Sequence, residues 1–441
     1  MDRLIHRYNR FGFGLYQKEL DDQTQLSFDR ILKRKRIVLS ETDLNEFRNK
    51  GESDRKELRK LAGKKMNTIR REWMNAMMYG HNFIHEKMVL FWHHHFACEI
   101  KNPLYAVQFS NHIRKNAMGD FKELLKGIAR SAAMIAYLNN RQNKKASPNE
   151  NFARELCELF TLGRDVLYDE NDIKEIARAF TGWRTRFDGT FFVNQKHHDN
   201  GRKKIFGLSG EFDGDEVLRI ILERKECAYF ICENLYTFFV HPVVDKERVK
   251  ELGDYFYRHD YNIESLLRYI VNSEWFYHNE NVMCRIKSPV ELLVGIGRQI
   301  DLRSTDDKAW MKIQRIFDQV LYKPRNVEGW KVNQEWIDSN SLPLRMRLAS
   351  WLLNDGMIEF NPKHDYDSNP NFIAKRNAIH KLGLNYKWEI FEAKNEGADF
   401  KALYFNNHLS EQAASFLKSR KYNSIKEEVI QLMSLPEYQL M

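Results

Sequence analysis

The sequence predicts a mainly α fold: a large multi-helix domain with a small β-hairpin insertion around residues 185–200. Three observations carry this. Amphipathic stretches with apolar residues at helical spacing recur along most of the chain. Several open on a capping residue and stop at a glycine. One segment alone, around Asp188-Gly189, joins a hairpin turn signal to flanking β-formers, Phe187 before it and Phe191, Phe192 and Val193 after it. With 441 residues, 43% of them hydrophobic, the chain has material for a sizeable core. It reads as one helical domain over 1–441, with subdomains expected at 1–210 and 211–441.

In chain order, residues 4–14 read as a packing turn, Gly12 and Gly14 permitting a tight bend around Phe13. Residues 25–66 are charge-dense helical pieces with a loop around Lys50–Glu52. Asn67–Tyr79 is a helix by the spacing of Ile69, Trp73, Ala76 and Met77, ended at Gly80. Residues 85–100 are apolar on most faces and predict a buried helix. Phe121–Leu138 reads as one amphipathic helix and Asn139–Ala146 as a polar loop.

Ser147–Gly163 predicts a helix with both ends marked. Ser147 is the N-cap, Pro148 takes the first position, Glu150 completes a capping box and Gly163 closes the far end left-handed. Phe152, Leu156, Leu159 and Phe160 form its core stripe; Asn151, Glu155 and Glu158, with Arg154 beside them, form a polar one. Asp169 then caps a second helix, with Asp172 three residues on, Ile173, Ile176, Ala177 and Phe180 inward, and Gly182 at its end. The hairpin's far end carries His197, His198 and Asp199, then a basic loop. Helices return over 214–300 and 306–355, interrupted by an ordered loop at 321–345. Residues 355–395 are less regular, and the last helices run to the end. Three segments, FKELLKGIARSAAMIAYL, IESLLRYIVNSEWFYH and IKEEVIQLMSLPEYQLM, share a helix, a serine and an aromatic or Met soon after. Their spacing is too irregular for a solenoid and suggests a recurring helix-end packing unit.

Charge is only mildly basic, 70 Lys and Arg against 61 Asp and Glu, a net +9. The excess is diffuse and no reading motif is present, so nucleic acid is not expected; an anionic or glycan ligand is compatible with it. Five cysteines without a CxxC spacing argue for reduced thiols rather than a disulfide scaffold. The first residues lack an apolar signal core, and no window approaches the ~18 apolar residues of a membrane helix, so a cytoplasmic location with no membrane partner is expected. No phosphate-loop or dinucleotide pattern occurs.

From Arg7 to about Glu437 the motifs resemble the bacterial family catalogued as domain of unknown function 1800. The most specific piece is the NEN-[FY]-AREL-x-EL-x-TLG signature at Asn149–Gly163. W-H-x-H-F matches at Trp92, His93, His95 and Phe96. Y-x-x-x-D-[IV] and A-R-A-[FL]-T-G-W match at Tyr168, Asp172, Ile173 and Ala177–Trp183, and H-D-x-G-x-K at His198, Asp199, Gly201 and Lys203. K-S-P matches at Lys287–Pro289. P-x-N-V-x-G-W matches at Pro324, Asn326, Val327, Gly329 and Trp330, with Trp336 and Arg345 downstream. Departures are Ala132, Asn139 and Asn234, where the family commonly has proline, aspartate and lysine. The resemblance implies fold and motif positions but no reaction. It also implies that many relatives are exported and that a sulfatase-like protein is a partner.

The motif residues admit two readings. In the first, His93 or His95 meets His198 to bind Zn²⁺, Mn²⁺ or Fe²⁺, although His93 and His95 point about 200° apart on a straight helix. Glu155 or Asp199 would then act as general base and Lys203 as anion clamp in a hydrolytic reaction on an anionic or glycan substrate. Arg154, Arg178, Lys287 and Arg345 would hold the substrate's charge, and Trp330, with Trp336, would line a sugar cleft. In the second reading the same side chains are buried histidines and Glu–Arg networks that hold helices in register, Trp92 is core, Ser288 is a helix cap and Cys157 a structural thiol. The protein is then a non-catalytic binding or scaffold protein.

Overall fold

The computed structural model describes residues 1–22, 27–48, 55–164, 166–304, 306–353, 357–358, 380–381 and 384–441. The expected loop around Lys50–Glu52 and most of the irregular 355–395 stretch lie outside the described residues. The fold is mainly helical, and every sheet among the described residues has two strands. Contacts divide the chain into two compact units: a middle unit, Asp29–Asn281 with Val320–Lys331, and a terminal unit, Met1–Phe28 with Val282–Gln319 and Val332–Met441. The division does not fall at residue 210, because the N-terminal residues group with the C-terminal helices.

In the middle unit the helix Arg55–Tyr79 starts earlier than its apolar spacing indicated and ends before Gly80, as expected. The histidine helix, Phe83–His95, opens on Asn82, whose side chain accepts the His85 N–H at 3.2 Å. All its residues but His94 are buried, which is why it shows no polar face. Phe121–Leu138 is two helices rather than one. Phe121–Arg130 stops where Ser131 turns extended (ψ 141°), and the Ser131 hydroxyl caps Ala132–Tyr137 through Met134 N. A serine hydroxyl that bonds backbone locally is a known competitor of helix continuation.

The signature helix starts three residues later than its capping signals suggested, at Asn151. Ser147 is used in a turn with Lys144, and the Glu150 carboxylate turns to Arg154 (3.1 Å) instead of back to Ser147. The helix passes into a π-helical stretch, Leu156–Thr161, before Gly163 (φ +90°) closes it. Phe152, Leu156 and Phe160 are buried as expected, while Leu159 is only partly covered. The next helix, Glu170–Ala179, has the expected Asp169–Asp172 capping box. Strands β1 (Trp183–Thr185) and β2 (Phe191–Val193) form the expected hairpin, with Trp183 opposite Val193. A second hairpin was not expected: β3 (Lys203–Ile205) and β4 (Leu208–Gly210), joined through Phe206 (φ +49°) and Gly207 (φ +82°). It hides in the basic loop because its strands are three residues long and its turn has none of the usual Asn-Gly chemistry.

The three similar segments share a structure. Phe121–Arg130, Ile263–Asn272 and Ile425–Met433 open on Asp120, Asn262 and Ser424, end at a serine, and are followed by a short helical turn. Asn139, where the family commonly has aspartate, sits at φ +56°, a conformation Asn and Asp both tolerate.

In the terminal unit residues 2–10 form a helix, Asp2–Arg10, and Gly14 takes the bend (φ +83°). Pro289–Ile300 begins at Ser288, which forms a capping box with Glu291. The expected loop 321–345 already contains the start of the helix Ser341–Leu353.

Candidate functional site

The middle unit's most elaborate polar cluster joins the end of the Glu170–Ala179 helix to the 198–203 loop. Thr181 anchors it twice: its carbonyl accepts from His198 Nδ1 (2.8 Å) and its hydroxyl from Asp199 N (2.8 Å). Asp199 takes Arg178 Nε at 2.8 Å and Nη2 at 3.3 Å, and Gly201 N at 2.8 Å. Arg178 also holds Glu175 through Nη1 (2.8 Å). Lys203 is buried and donates to the carbonyls of Asp199 (2.7 Å) and Gly201 (2.9 Å). The Arg178 hydrogen bonds hold the Asp199 carboxyl below its ordinary value, and burial lowers the Lys203 ammonium. Gly182 (φ +76°) is needed because a Cβ there would lie 2.7 Å from Asn194 O and 3.0 Å from His198 N. Asp199, Lys203, Arg178 and His198 are thus brought together, but as a clasp that spends their hydrogen bonds on one another and on backbone. Thr181 was not singled out from the sequence, although the T-G-W motif contains it.

The histidines of the buried helix diverge. His93 sits among Trp73, Phe109, Tyr322 and Trp330, with ring centroids 4.8–5.8 Å away, and among the described residues neither ring nitrogen has a hydrogen-bond partner. His95 points to the other side, its Nε2 on Phe160 O (3.0 Å). Burial lowers both imidazoles to about 3, so both are neutral. His94 accepts Trp330 N (3.1 Å), and Gly329 is fitted against it, a Cβ there lying 2.5 Å from its Nδ1. Among the described residues no group of three or more His, Cys, Asp or Glu side chains is placed to hold a metal ion. His93, His95 and His198, each held by different neighbours, do not form a donor set for Zn²⁺, Mn²⁺ or Fe²⁺. Trp330 is buried, its face against His93 and His94 and its Nε1 on Val320 O (3.3 Å), so it does not present a ring to a sugar.

On the signature helix, Arg154 gathers carboxylates: Glu150 (3.1 Å), Glu158 (3.4 Å) and, bidentately, Glu170 (2.9 and 2.8 Å). Arg164 bridges Glu158 (3.5 Å) and Glu328 (2.6 Å). Glu155 differs from these. It is half-buried, takes no hydrogen bond or ion pair among the described residues, and its carboxyl is raised above the ordinary range by burial and then by Glu158. Such a group gives up its proton less readily than an ordinary exposed carboxyl. Cys157, two residues on, is fully buried and its thiol is pushed up by burial, so it is not activated. Elsewhere in this unit a cleft of about 560 Å³ is lined by Leu218, Leu222, Tyr257 and Tyr261, with an Lys122–Asp260 ion pair at its rim. It contains none of the residues singled out from the sequence.

Lys287 and Arg345 belong to the terminal unit. Lys287 Nζ donates to Tyr438 O (2.7 Å) and lies 4.0 Å above the Tyr438 ring. Arg345 is buried, with Nε on Gln439 Oε1 (3.1 Å) and Nη2 on Lys287 O, and burial lowers it to about 10. Trp336 is buried as well.

Comparison with curated proteins and with solved structures found no match. A family model does match, over residues 6–440 and so nearly the whole chain. The clasp, the histidine helix and the signature helix all lie within that span, and the chain belongs to the family described as protein of unknown function (DUF1800).

Proposed function

We propose that this is a non-catalytic binding or scaffold protein whose polar motifs hold its helices and loops, and whose surface takes an anionic ligand. The carrying observation is the clasp. Asp199, Lys203, Arg178 and His198, all candidates for chemistry, are satisfied by Thr181, Glu175 and backbone groups. A carboxylate with two N–H donors from one guanidinium and a third from backbone is a stable ground state, not a poised base. A sulfatase-like protein, as the family resemblance implies, is the macromolecular partner in this reading.

One observation favours the hydrolase reading instead: Glu155 has no hydrogen bond or ion pair among the described residues, and its carboxyl is raised. In that reading Glu155 serves as general acid rather than the base first expected: it gives its proton to the leaving oxygen while water attacks the anionic or glycan substrate. The two readings separate on two variants. Asp199→Asn should cost roughly 1.5–3 kcal/mol, the range for a hydrogen bond to a charged group. Glu155→Gln should melt at or slightly above the wild-type temperature, since it removes a half-buried carboxylate without a partner. Wild-type protein should not turn over p-nitrophenyl phosphate, sulfate or glycosides. Turnover that disappears in Glu155→Gln would replace the scaffold reading with the catalytic one.

A further inference from the structure

The loop 139–149 and the segment 183–210 together hold nine Lys and Arg against two Asp. Backbone bonds join them: Lys145 N donates to His197 O (2.9 Å) and Gly182 N to Asn143 O (3.1 Å). Lys203 is buried in the clasp, Arg184 donates to Asn140 O, and Arg141 to Thr185 Oγ1. Lys144, Lys145, Arg186, Lys196, Arg202 and Lys204 are exposed, and among the described residues none of them forms an ion pair. The tip of the β1–β2 hairpin adds apolar surface, with Phe187 68% and Phe192 37% exposed. This tip is fixed. Gln108 Nε2 donates to Asp188 O (3.0 Å), Tyr105 Oη to Phe187 O (3.3 Å), and Gly189 packs so closely that a Cβ would lie 2.0 Å from Gln108 Oε1. Two side chains of the helix Pro103–Asn116 thus hold the tip's backbone, leaving the Phe187 ring in water next to Arg186, whose guanidinium lies over the Phe192 ring.

We infer that this face binds the surface of a bilayer rich in anionic phospholipid, with Phe187 entering the headgroup region and the exposed cations meeting the phosphates. A soluble polyanion would use the cations and leave the ring in water; an anionic bilayer surface uses both. Each basic residue near such a surface is worth roughly five-fold in partitioning, and a buried phenyl ring roughly ten-fold or more. No helix among the described residues is long and apolar enough to cross a membrane, and surface binding needs none. The inference deepens the binding reading above. Its variants lie outside the clasp, so the failure of either reading is visible without the other.

The test is cosedimentation with vesicles of phosphatidylcholine alone and of phosphatidylcholine mixed with phosphatidylglycerol. The protein should pellet with the mixed vesicles only, less so as salt rises. Phe187→Ser should weaken this roughly ten-fold, and the triple variant Lys144→Glu, Lys145→Glu, Lys196→Glu on the order of a hundred-fold. Both should melt as wild type, since the altered side chains are exposed. Equal pelleting with both vesicle types, or none with either, overturns the inference. So does undiminished binding by Phe187→Ser; if heparin then competes, the face is a site for soluble polyanions.

Discussion

His93 shows how little a residue's type says about its task. An imidazole beside Trp92 in a motif with two further histidines reads as a metal ligand, yet its ring is packed among four aromatic neighbours. The consequence is thermodynamic. Burial lowers the folded-state value of His93 and of His95 from 6.5 to about 3. Between these limits the unfolded chain binds protons that the folded chain refuses, so stability is full above pH 6.5 and falls as pH drops toward 3. The expected slope is about 1.4 kcal/mol per pH unit for each histidine, fully developed about one unit below 6.5. His93→Phe, which keeps a ring in the aromatic box and removes the titrating group, should remove its own share of that slope and leave those of His95 and of His112, which burial also lowers. Urea unfolding at pH 7.5 and at pH 5 checks it; an unchanged difference between the two pH values would mean that His93 titrates in the folded protein. Asp199 acts in a lower window with the same sign. Its carboxyl is held below 3.8, so its contribution is present above that value and is lost as pH falls through the lowered folded one.

At the scale of elements, helix existence was legible and helix ends were less so. The Asp169 capping box, the Ser288 cap and the Gly80, Gly163 and Gly182 stops follow from local chemistry, and local chemistry is what a sequence displays. The Ser147 capping box loses to competing bonds that are just as local: Arg154, four residues on, draws Glu150 forward, while Lys144 and Asn143 draw residues 147–149 into a turn. Nor does apolar spacing mark the π-helical stretch, since Leu156 and Phe160 bury equally well in either winding. The clasp was half legible. Its residues were picked out through the family resemblance, but their mutual pairing depends on Thr181 and on a loop whose path the sequence does not display. Gly182 tests the joint between helix, hairpin and clasp. Gly182→Ala must accept a positive φ and a methyl group 2.7 Å from Asn194 O. The expected cost is about 2–4 kcal/mol. A thermal melt within a degree of wild type would show that the backbone there relaxes freely.

For the whole molecule, the two units carry the same kind of internal constraint. In the middle unit Glu86 receives Arg114 bidentately, at 3.1 and 3.0 Å, where both side chains are buried. Burial alone would raise the Glu86 carboxyl, but Arg114 and His85 together outweigh it and bring it to about 2. In the terminal unit Glu291 receives Arg285 Nη1 at 2.9 Å and Ser288 N at 2.7 Å. It also offsets, for Arg10 and Arg345, the burial that lowers both to about 10. Removing one partner of such a pair strands a buried charge, at about 3–5 kcal/mol. Neither pair was foreseen: Glu86 and Arg114 lie 28 residues apart on different helices, and Arg285 and Glu291, six apart, pair across a helix start rather than at a helical spacing. Each pair reports on its own unit, so scanning calorimetry of Glu86→Gln and Glu291→Gln asks whether the units fold separately. Two transitions are expected. Glu86→Gln should lower one by on the order of 10 °C and leave the other in place, and Glu291→Gln should do the reverse. If both substitutions move one shared transition, the units unfold as a single cooperative body. The clasp, the histidine box and the terminal ion pair would then all contribute to one stability, and acid or mutation at any of them would be felt across all 441 residues.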